Sequence, residues 1–178
     1  MRETLHCSNG QDETRVTRAF GWVVTFRDFP VGSYQTVDGG AMQTEALTYF
    51  TKGRAEFYLD GERRKDRVPG VLSSEHEVVG EGGTFTLKYV EPTTRVCIPG
   101  NINKNQLPVV QQLDLKRGDR MLVPVGFRAL VCLGSVKVGD RTFKEESHFS
   151  VVTAASTVEA LSDRVLLLDF SRSISPRS

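Results

Sequence analysis

The fold of this chain is decided by a stretch that starts at residue 46 and reads ALTYFTKGRAEFYLDG. It holds two runs of β-branched and aromatic residues, 46–50 and 55–59, which favour strands. Lys52-Gly53 separates the runs, and Asp60-Gly61 closes the second one with a strong hairpin-turn signal, because glycine tolerates positive φ. A later stretch, residues 129–141, reads ALVCLGSVKVGDR and repeats the order strand, glycine, strand, turn. In both, the central glycine predicts a hairpin corner where a Cβ would clash.

Short strand-type runs separated by turn residues continue through the rest of the chain. Residues 84–89 alternate cleanly and place Phe85, Leu87 and Tyr89 on one face, as expected for a half-buried strand. Other runs stop at Pro99-Gly100 and Gly118-Asp119, and no long stretch shows a convincing helical period. The sequence therefore predicts an all-β fold, either a sandwich or a barrel.

Composition bounds the class of protein. The chain has 178 residues and a formal net charge of +1, which removes the electrostatic argument for nucleic-acid binding. No segment approaches the roughly 20 apolar residues that span a bilayer, and the first residues lack the apolar run of a signal peptide. We therefore expect a cytoplasmic protein. The three cysteines, Cys7, Cys97 and Cys132, form no C-x-x-C pair, which argues against a disulfide scaffold or a structural zinc site.

Residues 129–160 resemble the cupin superfamily, the RmlC-like jelly rolls. Residues 133–139 read LGSVKVG, where the family has a glycine followed by V-x-V-x-G. Residues 149–155 stand where the family has an apolar strand and P-A-G, and residues 166–170 resemble its closing strand. The resemblance implies a cupin-like jelly roll, with a first repeat over 20–100 and a second over 107–170, a compact bicupin. One larger β-barrel is the alternative. The polar ends, 1–14 and 171–178, are expected to be frayed termini.

Cupin enzymes hold a metal with an H-x-H pair, a glutamate and a later histidine, and the resemblance does not extend to these ligands. The corresponding positions hold neither His nor Glu: Ala46, Phe127, Ala129 and Val158, with the pair falling among 39–42 and 120–123. The chain has His6, His76 and His148, and none of them forms a pair. A cage built from distant residues such as Glu45, His76 and Glu77 is the remaining alternative. We therefore expect no metal and no cofactor, which disfavours oxygenase, metal-dependent isomerase and decarboxylase activities.

The first functional hypothesis is a metal-free module that binds a small polar ligand in a barrel mouth. Its predicted ligand-binding residues are Gln43, Glu45 and Tyr49, because the resemblance places ligands on or just before that strand. The alternatives are a structural or assembly protein on a jelly-roll scaffold and a metal-independent sugar epimerase or isomerase. No catalytic residue is predicted. A homodimer formed by strand edges is also expected.

Overall fold

The computed structural model describes residues 2–6, 13–38, 46–64, 66, 72–74, 84–99 and 108–173. Within these ranges the regular secondary structure consists of antiparallel β-strands, which confirms the predicted all-β fold. The chain divides into two compact units, the first Met1–Thr17 with Val23–Leu107 and the second Arg18–Trp22 with Pro108–Ser178. In the part of the chain described, no helix has the length and apolar character needed to cross a membrane.

The first unit contains two five-stranded sheets that face each other, in the orders β1-β4-β9-β6-β7 and β2-β3-β10-β5-β8. Its strands are β1 (Arg2–His6), β2 (Glu13–Ala19), β3 (Trp22–Phe29), β4 (Tyr34–Asp38), β5 (Ala46–Lys52), β6 (Ala55–Leu59), β7 (Glu62–Arg63), β8 (Leu72–Ser74), β9 (Thr84–Tyr89) and β10 (Thr93–Pro99). Phe29 of β3 stacks on Tyr89 of β9, with ring centroids 4.1 Å apart and planes 6° from parallel. This stack joins the two sheets through their inner faces.

The second unit contains two four-stranded sheets, in the orders β11-β18-β13-β16 and β12-β17-β14-β15. Its strands are β11 (Gln111–Lys116), β12 (Arg120–Val123), β13 (Arg128–Leu133), β14 (Val136–Val138), β15 (Arg141–Phe143), β16 (His148–Ser150), β17 (Ser156–Ala160) and β18 (Arg164–Asp169). One buried cluster draws on both sheets, for example Val131 and Leu167 from the first and Val136 and Val158 from the second.

The two units share one strand order. In the second unit each strand is the eighth strand after its counterpart in the first, so β3-β10-β5-β8 corresponds to β11-β18-β13-β16. In the same way β4-β9-β6-β7 corresponds to β12-β17-β14-β15, while β1 and β2 each add one edge strand to the first unit. Positions in one unit can therefore be compared with positions in the other through strand register.

The central glycines of the two quoted stretches sit in closely matched surroundings. Gly53 has a φ of +81°, and a Cβ placed on it would lie 2.5 Å from the carbonyl oxygen of Pro92 and also against Thr93. Gly134 has a φ of +78°, and its Cβ would lie 2.5 Å from the carbonyl oxygen of Arg164. The predicted clash is therefore confirmed. The predicted hairpin corner is wrong, because β5 and β6 lie in different sheets and the glycine marks the passage between them.

The Asp60-Gly61 turn forms the hairpin that the sequence predicts. β6 and β7 pair directly across it, with Leu59 opposite Glu62. Asp60 and Gly61 have φ values of +49° and +82°, which is the two-residue turn that matches the twist of its strands. Aspartate is among the few residues besides glycine that adopt positive φ readily.

Candidate functional site

The inner face of the second unit is an apolar core at the positions where the sequence analysis looked for metal ligands. Phe127, Ala129 and Val158 all belong to its buried cluster and are 6 %, 0 % and 0 % exposed. In strand β12, Val123 belongs to the same cluster and Met121 packs against it. Divalent ions need nitrogen, oxygen or thiolate ligands, so these residues do not fit a metal ion. Among the residues described in either unit, no group of three or more His, Cys, Asp or Glu side chains is placed to hold one.

The inner face of the first unit is different, because polar side chains meet there. Gln35 of β4 and Arg95 of β10 come from facing sheets and are 0 % and 3 % exposed. The Nη1 of Arg95 donates a hydrogen bond of 2.8 Å to the Oε1 of Gln35, and the hydroxyl of Tyr89 donates one of 2.7 Å to the same oxygen. We call Gln35, Tyr89 and Arg95 the polar cluster. A polar group is costly to bury unless it is hydrogen-bonded, and a charge more so, so this cluster is an expensive feature of the core.

The polar cluster contains a donor that no described residue satisfies. The Nε2 of Gln35 is buried and donates to no acceptor among the residues described. Buried amide donors normally have a hydrogen-bond partner, and a buried donor without one costs about 1–3 kcal/mol of stability. The groups that surround it are rich in donors, since a guanidinium carries five N–H groups and no acceptor. The interior is therefore chemically suited to a molecule that supplies acceptor oxygens.

A second arginine shares this face. Arg27 of β3 lies directly opposite Arg95 in the β3–β10 register, and directly opposite residues of an antiparallel pair project to the same side. Its guanidinium carbon lies 5.3 Å from the ring centroid of Phe29, the ring that stacks on Tyr89. The inner face of this sheet thus carries two neighbouring guanidinium side chains beside an aromatic pair.

Arg95 also lies beside a β-bulge. Thr94 is opposite Lys52 of β5 and Arg95 is opposite Phe50, so Thr51 is the extra residue. Bulges often redirect side chains next to functional sites. The second unit has the same bulge, with Leu167 opposite Val131 and one extra residue before Leu133. Leu167 is therefore the counterpart of Arg95.

Strand register extends this comparison to the other members of the cluster. In the first unit, Leu87 of β9 pairs with Gln35 of β4 on one side and with Phe57 of β6 on the other. In the second unit, Val158 of β17 pairs in the same way with Met121 of β12 and Val138 of β14. Residues Leu113, Met121, Ala160 and Leu167 of the second unit stand where the first unit has Arg27, Gln35, Tyr89 and Arg95. All four either belong to the apolar core of the second unit or pack against it. The shared topology thus forms a core without these polar side chains.

An open cavity of about 260 Å³ lies at one end of the same sheet, lined by Asp28, Phe29, Pro30, Lys52, Pro92, Thr93 and Thr94. Phe29 is shared with the aromatic pair, and Thr93 lies on the same strand face as Arg95, two residues away. Two residues of a strand span about 7 Å, so the cavity is close to the polar cluster. It opens to solvent at that end of the first unit, and we refer to this open cavity as the mouth.

Asp28 is held ionised at this mouth. Both nitrogens at the end of the Arg15 side chain donate to its carboxylate, and the hydroxyl of Thr94 donates a bond of 2.6 Å. Burial alone would raise the pKa of Asp28, but the hydrogen bonds from Arg15 and Thr94 outweigh that effect and hold the pKa below 3.8. The Lys52 charge lowers it further. Asp28 is therefore an acceptor that is already engaged.

The predicted ligand-binding residues are not placed in this cluster by the structure. Gln43 and Glu45 lie outside the described residues, as do His76 and Glu77 of the alternative metal cage. Tyr49 lies in β5, opposite Val96 of β10 and next to Phe50 in sequence. Its role in binding, like that of Gln43 and Glu45, stays a prediction.

Sequence reasoning missed Gln35 and Arg95 for an identifiable reason. The spacing of the family's metal ligands, counted back from Gly53, places the ligand pair at 39–42. That count assumes that the loop before β5 has the length usual in the family. Residues 39–45 separate β4 from β5, whereas only 124–127 separate β12 from β13. The count from Gly134 reached β12, which contains Met121, the counterpart of Gln35. A charged residue within the apolar run 95–98 was the available signal for Arg95.

No protein-family model matches the chain, and no curated protein matches it. Several solved structures match the chain. The bacterial pirin YhhW in complex with nickel(II) from Escherichia coli has a TM-score of 0.55 at 14 % identity, over 95 % of this chain and 99 % of that chain. HutD from Pseudomonas fluorescens SBW25 has a TM-score of 0.55 at 11 % identity, over 94 % and 97 %. A cupin 2 conserved barrel domain protein from Leptotrichia buccalis has a TM-score of 0.50 at 11 % identity, over 90 % and 88 %. At these identities the likeness establishes the fold.

Proposed function

We propose that this chain, whose fold is that of the cupin superfamily, binds a small polar molecule inside its first unit. The binding side chains are Gln35, Tyr89 and Arg95, which approach one another between the two sheets. The ligand enters through the open cavity beside Phe29 and Thr93. Gln43 and Glu45 belong to the same proposal as further contacts from the segment that leads into β5.

One observation carries this proposal: the same topology is built twice, and only the first copy has polar residues at the positions of Gln35, Tyr89 and Arg95. The second unit has Met121, Ala160 and Leu167 where the first has the polar cluster, and they belong to an ordinary apolar core or pack against it. Polar groups in a core reduce stability unless fully satisfied, so a position that the fold fills with leucine has no structural need for arginine. Departures of this kind from core packing are expected at functional sites.

The proposal includes binding without a metal ion. The second unit offers apolar side chains at the ligand positions of the superfamily, and the polar cluster consists of an amide, a phenol and a guanidinium. An arginine is always protonated and cannot ligate a cation. The E. coli pirin, by contrast, is described in complex with nickel(II). Elemental analysis of protein purified without metal-affinity steps tests this part, and about one metal ion per chain would contradict it.

Ligand screening tests the binding function. The wild-type protein is compared with Gln35→Met and Arg95→Leu, which introduce the residues that the second unit has at these positions. Arg117→Leu is the matched control, because it makes the same chemical change at an exposed arginine paired with Asp163. We expect a subset of small polar compounds to raise the melting temperature of wild type and control and to leave both cluster variants unchanged. Equal responses from all four proteins would refute the proposal.

The assembly alternative has its own observation. Leu122, Val125 and Val152 of the second unit are exposed to 76 %, 53 % and 73 %, and large exposed apolar side chains in proximity often mark interaction surfaces. Gly126 and Val151 are hydrogen-bonded, which brings Val125 and Val152 together. An assembly role predicts a concentration-dependent mass in analytical ultracentrifugation that Leu122→Ser shifts towards the monomer. A mass that changes neither with protein concentration nor on Leu122→Ser would rule out the assembly alternative.

A further inference from the structure

We infer that the mouth of the first unit is itself a binding site for a small monoanion with an apolar body, held at its charged end by Lys52. This inference goes beyond the proposed function, because it needs neither a ligand in the interior nor the donors of the polar cluster. Three features of the mouth support it: a row of polar side chains across three strands, the charge of Lys52 and the apolar walls.

A row of three polar side chains crosses the sheet at the mouth. Thr94 of β10 lies opposite Asp28 of β3 on one side and opposite Lys52 of β5 on the other. Directly opposite residues project to the same side of a sheet, with Cβ atoms about 4.5–5.5 Å apart. All three line the cavity of about 260 Å³. A carboxylate, a hydroxyl and an ammonium group therefore border one small volume.

The corresponding row of the second unit has neither the hydroxyl nor the ammonium group. There the paired residues are Asp114 of β11, Leu166 of β18 and Leu133 of β13. The aspartate is common to both units, whereas leucine replaces both Thr94 and Lys52. These two polar groups are therefore not requirements of the shared topology.

Charge at the mouth favours an anion. Among the described residues that line it, Asp28 alone has a carboxylate, and Arg15 and Thr94 already donate to that carboxylate. Lys52 forms no ion pair with any residue in the part of the chain that the structure describes. Its ammonium group is therefore a positive charge without a counter-ion at the mouth. A monoanion supplies that counter-ion, whereas a cation or a neutral molecule does not.

Lys52 is also the side-chain donor that the mouth offers to a ligand. Of the described residues in the lining, it alone carries N–H groups on its side chain. The two threonine hydroxyls donate within the protein, Thr94 to Asp28 over 2.6 Å and Thr93 to the carbonyl oxygen of Glu91 over 2.8 Å. An ammonium group is a compact point charge with three rotatable donors, which suits an oxyanion. The charged end of the ligand therefore lies at Lys52.

The walls of the mouth favour an anion with an apolar body over inorganic phosphate. Phe29, Pro30 and Pro92 contribute apolar side chains to the lining. The Phe29 ring is held in place by its parallel stack on Tyr89. Pockets for drug-sized ligands have volumes of about 300–1,000 Å³, so a cavity of about 260 Å³ suits a single ring or a short chain. A free phosphate would gain nothing from these walls and would lose hydration against them.

The test is a titration of wild type and four variants with small probes. The variants are Lys52→Leu, Lys52→Arg, Arg95→Leu and the control Lys137→Leu, which makes the same change at an exposed lysine of the second unit. The probes are benzoate, benzenesulfonate, benzamide, benzylamine and inorganic phosphate, all at constant ionic strength set with sodium chloride. Two-dimensional NMR of the backbone amides gives both the affinity and the location of binding, with Gly53 and Thr93 as reporters at the mouth.

We expect benzoate and benzenesulfonate to shift both reporters in wild type, Arg95→Leu and the control. Lys52→Leu should weaken their binding by about fivefold, the upper end of what an exposed ion pair contributes, and Lys52→Arg should retain it. Whichever of the two binds more tightly identifies the acidic group of the ligand. Benzamide and benzylamine should bind more weakly than benzoate. That comparison needs wild type alone, so it tests the charge argument even where a variant does not fold.

Each contrary result overturns something specific. If Arg95→Leu loses benzoate binding, the anion binds in the interior, so the inference is wrong while the proposed function stands. If benzamide or benzylamine binds as tightly as benzoate, the charge argument fails and the inference is wrong. If phosphate binds more tightly than benzoate, the apolar walls do not contribute and the ligand class is wrong. If benzoate binds wild type and Lys52→Leu equally, or if no probe shifts the reporters, the mouth is not an anion site.

Discussion

Replacing Gln35 alone should destabilise the protein more than replacing Gln35 and Arg95 together. The Oε1 of Gln35 accepts two buried hydrogen bonds, 2.8 Å from the Arg95 guanidinium and 2.7 Å from the Tyr89 hydroxyl. Hydrogen bonds to charged groups contribute about 1.5–3 kcal/mol and neutral ones about 0.5–1.5, so Gln35→Met should cost about 2–4 kcal/mol of unfolding free energy. Arg95→Leu loses the same 2.8 Å hydrogen bond but also removes the buried charge, so it should cost less than Gln35→Met.

The double variant Gln35→Met with Arg95→Leu loses the Tyr89 bond, and it also removes the guanidinium that would otherwise lose its bond to the Oε1 of Gln35. It should cost about 1 kcal/mol, which makes the two changes non-additive by about 2 kcal/mol. Urea denaturation followed by far-ultraviolet circular dichroism measures all four free energies, with equal slopes required for the comparison. Costs that add to within about 0.5 kcal/mol would show that the two side chains act independently. A cost above about 3 kcal/mol for Arg95→Leu alone would show that the fold needs the charge, and the argument from the second unit would then fail.

Three further predictions rest on other features of the structure. Gly53→Ala should lower the free energy of unfolding by about 2–4 kcal/mol in the same urea assay, because an alanine there combines left-handed backbone strain with a backbone clash. Gly61→Ala is the control, since Gly61 also has positive φ but open space around it, and it should cost about 1 kcal/mol or less; equal costs would contradict the clash. The folded-state pKa of Asp28 is lowered, so its contribution to stability is present above pH 3.8 and is lost as the pH falls through the lower folded-state pKa. Melting temperature measured against pH should therefore fall less steeply at acid pH in Asp28→Asn than in wild type, and an unchanged slope would refute this prediction. Burial raises the pKa of the Cys132 thiol, so iodoacetamide at mildly alkaline pH should leave Cys132 unmodified in the folded protein and alkylate it after denaturation. Peptide mapping distinguishes these results, and modification of Cys132 in the folded protein would contradict its burial.

The sequence alone determined the features that depend on local conformation. Strand-forming runs broken by turn residues predicted an all-β chain, and Asp60-Gly61 marked its hairpin, because a turn with positive φ selects its residues directly. The repeated strand–glycine–strand pattern located Gly53 and Gly134, where a Cβ meets a backbone carbonyl. The same pattern carried the resemblance to cupins, which the solved structures support at the level of fold. Each of these signals spans only a few neighbouring residues.

Tertiary structure alone decided which polar side chains meet. Gln35 is 54 residues from Tyr89 and 60 from Arg95, and no local pattern reports that these three share one interior. Alternation could not reveal the inner face of β10, because Val96 and Ile98 on its other face are as buried as Arg95. A strand buried on both sides loses the period of two that distinguishes inside from outside. Only the register of β10 against β3 and β5 places Arg95 beside Arg27 and Phe50, and that register is a property of the assembled sheet.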